Sequence, residues 1–531
     1  MVSGGFLFIG INDGARISPI SGAIALESDA PIERPPAPQR VPLPSPESGD
    51  LPTQITVKRF EVIGSTVFSA EELAAITAPF TNRPLSLGEL FQVSSEITQA
   101  YQDRGYINSG AFIPPQELLG EVAIVEVVEG GIESIEVMGN RLLRTAYIRD
   151  RLAIAAQKPF NVNRLLEGLQ LLQVNPLIDS LSSELSSSAQ PGLSRLQVKI
   201  TEADSLQGRI IADNSRSPSV GSFRRGLGFT EGNLLGWGDR FSFDYYQSDG
   251  SHSVDVSYSF PVNPRNGTLE LAYGRTSSEI LEDPWNALDL ETASRYYEIG
   301  FRQPIVQTPR EELAIGVTLE RQDSETFFGD RGYTEVTALR LFQEWIKRNP
   351  KEVLFLRSQL SFGFDRLDET QNRDPIPDNP FFVWRLQSQW SKLWGEDNLV
   401  LWRSDLQLAT NPLLPLEAFR LGGFDSVRGY RQDGVLTDSG WFSSLELHFR
   451  VFEISPWEAQ LKVTPFFDYG IGWNSSGKDS QQLSSLGIGL RWEQDHLTAG
   501  LQWAIALTER PIDRGTWQDR GVSFFIFYEP F

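Results

Sequence analysis

From residue 205 to the C terminus, the chain alternates apolar and polar side chains with a period of two. Such alternation predicts β-strands that bury one face, because successive side chains of a strand point to opposite sides of the sheet. In residues 496–507, one face carries Leu497, Ala499, Leu501, Trp503, Ile505 and Leu507. Sixteen segments of this kind can be recognised, near residues 206–215, 223–235, 239–248, 251–262, 267–280, 294–306, 311–327, 336–348, 353–365, 381–394, 398–410, 440–452, 460–473, 483–494, 496–507 and 521–531.

An even number of strands of roughly ten residues, each apolar on one side, is typical of a transmembrane barrel. A soluble β-sandwich rarely needs so many strands in one block. A β-solenoid would show a fixed repeat period, which this region lacks. The sequence therefore predicts a 16-stranded antiparallel transmembrane β-barrel over residues 205–531.

Residues 55–130 show helical spacing instead. Ser69 with Glu72 and Ser86 with Glu89 have the spacing of capping boxes, each of which opens a helix. Gly105 ends the second helix, since glycine accepts the backbone conformation that closes a helix. Apolar runs before and after the helices complete the order strand, helix, helix, strand, strand.

Residues 131–204 repeat that order. The stretch at 135–139 echoes the stretch at 60–64, a first helix is predicted over residues 142–152, and a second passes through Leu165, Leu169 and Leu172. Two tandem copies of one α+β unit are a stronger signal than either copy alone. Residues 1–54 are predicted to be an N-terminal segment that ends in an extended, proline-rich linker.

Composition excludes several classes of protein. With 69 acidic against 47 basic residues and a net charge of −22, the chain lacks the basic surface of a nucleic-acid-binding protein. It has no cysteine and only three histidines, far apart in sequence, so we expect no metal site and no cofactor. The nucleophile motif of α/β-hydrolases is absent, and we expect no enzymatic activity. Asp365, Asp405 and Glu446 are assigned to a solvated pore wall.

Two stretches of the predicted barrel carry the candidate site. The longest connection, residues 411–439, is rich in glycine and aromatic residues and contains Val427, Arg428, Gly429 and Tyr430. The strand near 460–473 contains Phe466, Asp468 and Gly470. Asp468 is out of phase with the apolar face of its strand, so we expect it to point into the lumen, where a charge needs a partner or water.

These stretches resemble the two signature motifs of the POTRA-plus-barrel superfamily of outer-membrane proteins. The α+β units resemble POTRA domains, and residues 101–106 and 113–116 look like the first POTRA domain of two-partner secretion transporters. Two POTRA units before sixteen strands are similar to the transporters of haemolysin and filamentous-adhesin type. The resemblance implies POTRA domain 1 at residues 55–130 and POTRA domain 2 at 131–204. It also implies that the 411–439 loop folds into the lumen, where Arg428 pairs with Asp468.

The implied protein is an outer-membrane transporter of type V secretion, with its POTRA domains in the periplasm. They would bind an exported adhesin, haemolysin or other exoprotein, and the barrel wall would contact membrane lipids. The alternatives are an outer-membrane protein insertase of the same superfamily and, less favoured, a passive porin. The Arg428–Asp468 pair either anchors the loop only or also makes it a gate. Related transporters often have an N-terminal plug helix, but glycine-rich residues 1–30 do not predict one.

Overall fold

A computed structural model describes residues 54–117, 121–288, 290–328, 330–364, 380–395, 397–457, 459–475, 477, 480–510 and 513–531. The N-terminal segment up to residue 53 and the carboxylate of Asp365 lie outside these ranges. The described chain forms two compact units, one that ends at Ala203 and one that begins at Asp204. None of the described helices has the length and apolar character that crossing a membrane requires.

The first α+β repeat is a three-stranded sheet packed against two helices. Its elements are β1 (Ile55–Thr56), β2 (Arg59–Ile63), α1 (Ala70–Thr77), β3 (Pro84–Leu85), α2 (Leu87–Asp103), β4 (Gly110–Phe112) and β5 (Val122–Val128). The sheet order is β2-β5-β4, with β2 parallel to β5. Both predicted capping boxes are present, at Ser69 with Glu72 and at Ser86 with Glu89. The two-residue pair of β1 and β3 was too short to be predicted from periodicity.

The second repeat has the same topology. Its elements are β6 (Gly131–Met138), α3 (Thr145–Ala155), α4 (Val162–Gln173), β7 (Ile178–Ser187) and β8 (Leu193–Glu202), in the sheet order β6-β8-β7. The prediction that its first helix starts at Leu142 is wrong, because that helix starts at Thr145. The carboxylate of Glu202 accepts hydrogen bonds from the backbone N–H groups of Arg141, Leu142 and Leu143, which holds these residues in a turn.

The same turn follows the first strand of both repeats. After β2, Gly64 has a φ of +84°, and the Glu129 carboxylate accepts the Thr66 N–H at 2.6 Å. After β6, Gly139 has a φ of +87°, and Glu202 binds the following amides. Partial burial raises the pKa of Glu129 and Glu202, but these hydrogen bonds outweigh it and lower the pKa of both below the usual value. Each carboxylate thus links the turn after the first strand of its repeat to the end of the last strand.

The second compact unit is a closed barrel of sixteen strands. Its strands are β9 (Leu206–Asp213), β10 (Arg224–Glu231), β11 (Arg240–Gln247), β12 (Ser251–Pro261), β13 (Thr268–Glu279), β14 (Glu291–Gln307), β15 (Glu311–Phe328), β16 (Asp330–Asn349), β17 (Glu352–Phe364), β18 (Phe382–Trp394), β19 (Asn398–Ala409), β22 (Ser439–Ile454), β23 (Ala459–Trp473), β24 (Ser480–Gln494), β25 (Leu497–Ala506) and β26 (Val522–Tyr528). Two short strands, β20 (Phe419–Leu421) and β21 (Val435–Thr437), pair only with each other, between β19 and β22. The predicted fold class is confirmed, and each predicted barrel segment overlaps one barrel strand.

Along each barrel strand, apolar side chains that face outward alternate with mostly polar side chains that face the lumen. On β25, Leu501, Trp503 and Ile505 are each about half exposed on the outer face, at 50%, 51% and 48%. On β23, Phe466 and Asp468 are buried on the inner face. We call the end at which β9 begins the N-terminal rim. The opposite end is the loop rim, from which the connection of residues 410–438 emerges.

Candidate functional site

Residues 410–438 turn back from the loop rim and pack against the inner face of β22 to β24. Phe419, Leu421 and Val427 are buried in one cluster with side chains of β22 and β24. Glycines of the wall make room for them, because a Cβ at Gly470 would lie 2.8 Å from both Leu421 and Val427. Gly470, singled out in the sequence, is therefore the point of close approach between this inner loop, residues 410–438, and the wall.

Arg428, at the tip of the inner loop, forms two parallel hydrogen bonds with Asp468 of β23. Nε donates to Oδ2 and Nη2 donates to Oδ1, both at 2.8 Å, and the backbone N–H of Arg428 adds a third bond at 3.1 Å. The Ser444 hydroxyl donates to the same carboxylate at 2.7 Å. Arg428 is 2% exposed and Asp468 is fully buried, so each charge depends on the other in place of water.

Phe466 and Glu446 complete the surroundings of Arg428. The guanidinium carbon lies 3.4 Å from the centre of the Phe466 ring, a stacked cation–π contact. Glu446 lies 3.0 Å from Arg428 Nη2, 3.1 Å from Arg403 Nη2 and 3.1 Å from His448 Nε2. The assignment of Glu446 to a solvated pore wall is wrong, because it is only 6% exposed and holds two arginines together. The expected lumenal position of Glu446 agrees with its place on the inner face of β22, but no local pattern identifies Arg403 and Arg428 as its partners.

Gly429 and Tyr430 lie where the inner loop passes β24 and β25. Gly429 has a φ of +89°, which favours glycine, and its backbone lies against Ala504. The Tyr430 hydroxyl donates to the Ser484 carbonyl at 2.8 Å and accepts the N–H of Thr508 at 3.1 Å. The structure thus brings all four residues of the loop motif to one wall of the lumen.

A second junction, which the sequence did not reveal, forms at Arg431. Its guanidinium binds both oxygens of Glu282 at 2.7 Å, and Nη2 lies 3.3 Å from Asp519. Glu282 belongs to the β13–β14 connection and Asp519 to the β25–β26 connection, so Arg431 bridges two connections of the loop rim. Neighbouring inner-loop groups bind the β25–β26 connection as well: the Gly429 carbonyl accepts from Arg510 and the Gln432 N–H donates to Gln518.

A third junction ties the inner loop to β16, which is four strands from β22 in the barrel order. Glu417 accepts hydrogen bonds from both terminal nitrogens of Arg340 on β16, at 2.7 and 3.1 Å. Asp405 also faces the lumen, as expected, but it is 6% exposed and paired with Arg385 rather than solvated. Within the ranges that the structure describes, no cluster of three or more histidine, aspartate and glutamate side chains could hold a metal ion.

Comparisons with known proteins show which family the chain matches. The haemolysin secretion/activation proteins ShlB, FhaC and HecB form a family that matches residues 192–492, and the ShlB-type POTRA domain matches residues 55–130. The outer membrane transporter CdiB of Escherichia coli is 24% identical over 515 residues, which cover 90% of this chain and 83% of the relative. The heme/hemopexin transporter protein HuxB of Haemophilus influenzae is 23% identical over 445 residues, covering 79% and 77%.

Solved structures are similar to the whole chain in fold. CdiB from Escherichia coli has a TM-score of 0.70 at 20% identity, with 92% of each chain covered. BamA from Haemophilus ducreyi lacking POTRA domains 1–3 has a TM-score of 0.53 at 13% identity, with 90% of this chain and 100% of that chain covered. At such identities the likeness establishes the fold alone.

Proposed function

Because the chain belongs to the haemolysin secretion/activation family of ShlB, FhaC and HecB, we propose that it recognises an exported partner protein through its two α+β repeats and passes it through the barrel lumen. The chain is an outer-membrane transporter of two-partner secretion, and its N-terminal POTRA region lies in the periplasm. Residues 131–204 serve as a second POTRA domain, a role supported by their strand order and by the repeated carboxylate turn. The partner is an adhesin, a haemolysin or another exoprotein, bound in an extended form.

The inner loop supports a gated lumenal route. It occupies the lumen and is held by ion pairs at three places: Arg428 with Asp468, Glu417 with Arg340, and Arg431 with Glu282. A polypeptide that crosses the barrel needs the space that this loop fills. We therefore assign the loop two roles, an anchor at Arg428 and a gate at Arg431, where the contacts lie between irregular connections rather than on a strand.

Secretion of the partner tests the recognition step. Cells that produce the chain without residues 55–202 should assemble the barrel, as judged by its heat-modifiable electrophoretic mobility, and should fail to release the partner. The matched control is the intact chain at the same level of expression. Undiminished secretion by the truncated barrel would refute recognition by the repeats.

One observation favours a second candidate, an insertase that releases its client sideways into lipid. The seam between β26 and β9 pairs only four residues of each strand. However, the Asn214 side chain extends this seam: its amide group donates to the Val522 carbonyl at 2.9 Å and its oxygen accepts the Phe524 N–H at 2.8 Å. These two side-chain hydrogen bonds extend the contact between β9 and β26 past the four backbone-paired residues. We therefore rank the lumenal route first.

Transport by this chain involves no catalysis and no nucleic acid in our proposal. The family and the relatives named above are transporters. The outer apolar face of the barrel contacts the lipids of the outer membrane, since half-exposed leucine, isoleucine and tryptophan side chains need an apolar solvent. A passive porin is not favoured, because the inner loop fills part of the lumen and the periplasmic repeats have no task in solute diffusion.

A further inference from the structure

The outer face of β13 to β16 changes from apolar to charged at one level of the barrel wall. Strand pairing aligns its side chains in rows, and one row is wholly apolar: Leu271, Ile299, Leu319 and Leu339. The next row toward the loop rim contains Tyr273 and Tyr297, whose ring centres lie 5.2 Å apart. Tyrosines above an apolar band form the aromatic girdle at the membrane surface. The lipid-facing band of these strands therefore ends at the two tyrosines.

The loop rim lies on the outer side of the membrane. The POTRA region is periplasmic, β8 ends at Glu202, and β9 begins at Leu206 on the N-terminal rim. The opposite rim, and the tyrosine pair near it, therefore belong to the outer leaflet. Outer-face residues just beyond the tyrosines lie at the level of the lipid head groups.

Two arginines occupy this level directly opposite each other. Arg275 of β13 and Arg295 of β14 are Cα partners, each two positions from a girdle tyrosine and on the same face. Like charges at opposed positions of a sheet repel each other. Arg275 is exposed, has Val254 as its neighbour on the other side, and forms no hydrogen bond or ion pair with any residue in the described ranges. The pair therefore favours an anion from outside the chain.

The carboxylates of β15 and β16 neutralise these two arginines only in part. Asp323 is the Cα partner of Arg295, but Asp323 and Glu335 both bind Arg321, at 3.3 and 2.8 Å. Glu325 lies 3.4 Å from Arg295, which is longer than a charge-assisted hydrogen bond. Arg295 therefore has one weak partner and keeps donors for a second one.

Two further carboxylates lie closer to the rim. Glu279 and Glu291 are opposed to each other, each four positions from the arginine of its own strand. That spacing corresponds to about 13 Å along the strand, too far for a direct ion pair. Arg275 thus faces the membrane surface without a carboxylate beside it.

We propose that Arg275 and Arg295 bind the phosphate group of a phosphorylated glycolipid in the outer leaflet. A guanidinium offers a planar fork of N–H donors that matches phosphate, and an anion between the two arginines removes their repulsion. The tyrosine rings and the leucine row beneath them lie along the acyl chains of the same lipid. The position in the outer leaflet, which consists of glycolipid in an outer membrane, selects this class of lipid. The site is independent of the partner that the chain secretes.

Native mass spectrometry of the full-length protein in detergent tests the proposal. The probe is lipid A with two phosphate groups, and the comparison is the same lipid A with both phosphates removed. The wild type should bind the phosphorylated form roughly tenfold more tightly, because each basic residue near an anionic lipid contributes about a fivefold gain in affinity. Arg275→Gln should weaken binding of the phosphorylated form about fivefold, and Arg275→Gln with Arg295→Gln should weaken it more than about tenfold.

Two further variants separate a site from general charge. Lys392→Gln removes an exposed cation of β18, two positions from the end of that strand at the N-terminal rim. It should change the affinity less than about twofold, because the apolar band separates it from the outer leaflet by more than the screening length. Arg275→Lys keeps the charge without the planar fork and should weaken binding only about two- to threefold. Heat-modifiable mobility, unchanged in every variant, shows that the barrel is folded.

Other outcomes overturn the inference. Undiminished binding by the double variant, or an equal loss from Lys392→Gln, would show that the two arginines form no site. Equal affinity of the wild type for both forms of lipid A would show that acyl chains alone are bound. Phosphatidylglycerol bound as tightly as lipid A would overturn the choice of glycolipid. None of these results bears on secretion of the partner, so the proposed function is tested separately.

Discussion

Arg428 and Asp468, 40 residues apart in sequence, form a bidentate ion pair in which both side chains are removed from solvent. Loss of one partner leaves the other as an uncompensated buried charge, which costs roughly 3–5 kcal/mol. Arg428→Ala should therefore lower the temperature at which the folded barrel loses its fast electrophoretic mobility. Adding Asp468→Ala should restore part of the stability, because it removes the orphaned charge. The control is Arg420→Ala on the same loop, whose 3.5 Å pair with Asp433 is partly exposed and contributes less than about 1 kcal/mol.

Arg431→Gln should open the loop rim while the anchor stays in place. The variant loses the ion pairs to Glu282 and Asp519 but leaves the Arg428 contacts untouched. We expect a larger or more frequently open single-channel conductance in planar bilayers, with unchanged heat-modifiability. Arg321→Gln, which removes a pair with Glu335 on the outer face, is the control. Conductance equal to that of the wild type would show that the ion pairs of Arg431 do not hold the loop rim closed.

Gly470→Ala should unseat the inner loop by adding a single methyl group. Its Cβ would lie 2.8 Å from Leu421 and Val427, closer than carbon atoms approach. Proteolysis of the assembled barrel should then cut within residues 410–438 faster than in the wild type. Gly300→Ala is the matched change, since Gly300 also faces the lumen and its nearest neighbour would be 3.4 Å away. Equal protection of both variants would show that the loop adapts.

A disulfide across the seam separates the two routes of release. Ala212 and Ile526 are directly paired on β9 and β26, and the chain has no other cysteine to interfere. With Ala212→Cys and Ile526→Cys oxidised, secretion of the partner should continue at the wild-type rate if the route is lumenal. The reduced form of the same variant is the control. A loss of secretion that reductant reverses would support sideways release instead.

Glu202→Gln should destabilise the second repeat by about 1–2 kcal/mol at neutral pH, because it weakens charge-assisted bonds to three backbone amides. In the wild type, the folded pKa of Glu202 lies below its unfolded value. Its contribution is therefore complete above the unfolded pKa and is lost as the pH falls through the folded one. The protection factors of the amides in residues 141–155, which are corrected for the slower intrinsic exchange in acid, should fall with pH in the wild type and depend less on pH in the variant. An identical acid response in both proteins would show that Glu202 does not cause the loss of stability in acid.

The sequence was most informative where structure depends on local pattern. Period-two alternation predicted the barrel strands, and capping residues predicted both helices of the first repeat, because these signals lie within a few residues of each other. Asp468 was expected in the lumen because its strand fixes which way it points.

Contacts between distant irregular segments could not be predicted in the same way. Arg431 binds Glu282 across 149 residues, and both lie in connections without regular spacing. Glu417 and Arg340 meet across 77 residues, and although Arg340 lies on β16, the irregular inner loop gives no spacing that places Glu417 beside it. The start of α3 was misplaced because a carboxylate from the far end of the repeat, Glu202, decides it.

The contacts of residues 429–432 with the β25–β26 connection also set an order of events during biogenesis. The groups that hold this stretch, from Thr508 to Asp519, lie in the connection between β25 and β26, the last two strands of the barrel in chain order. The inner loop therefore cannot reach its final seat until the C-terminal hairpin has joined the wall. The lumen is therefore narrowed only after β25 and β26 are in place, and a barrel that lacks this hairpin keeps a wider passage.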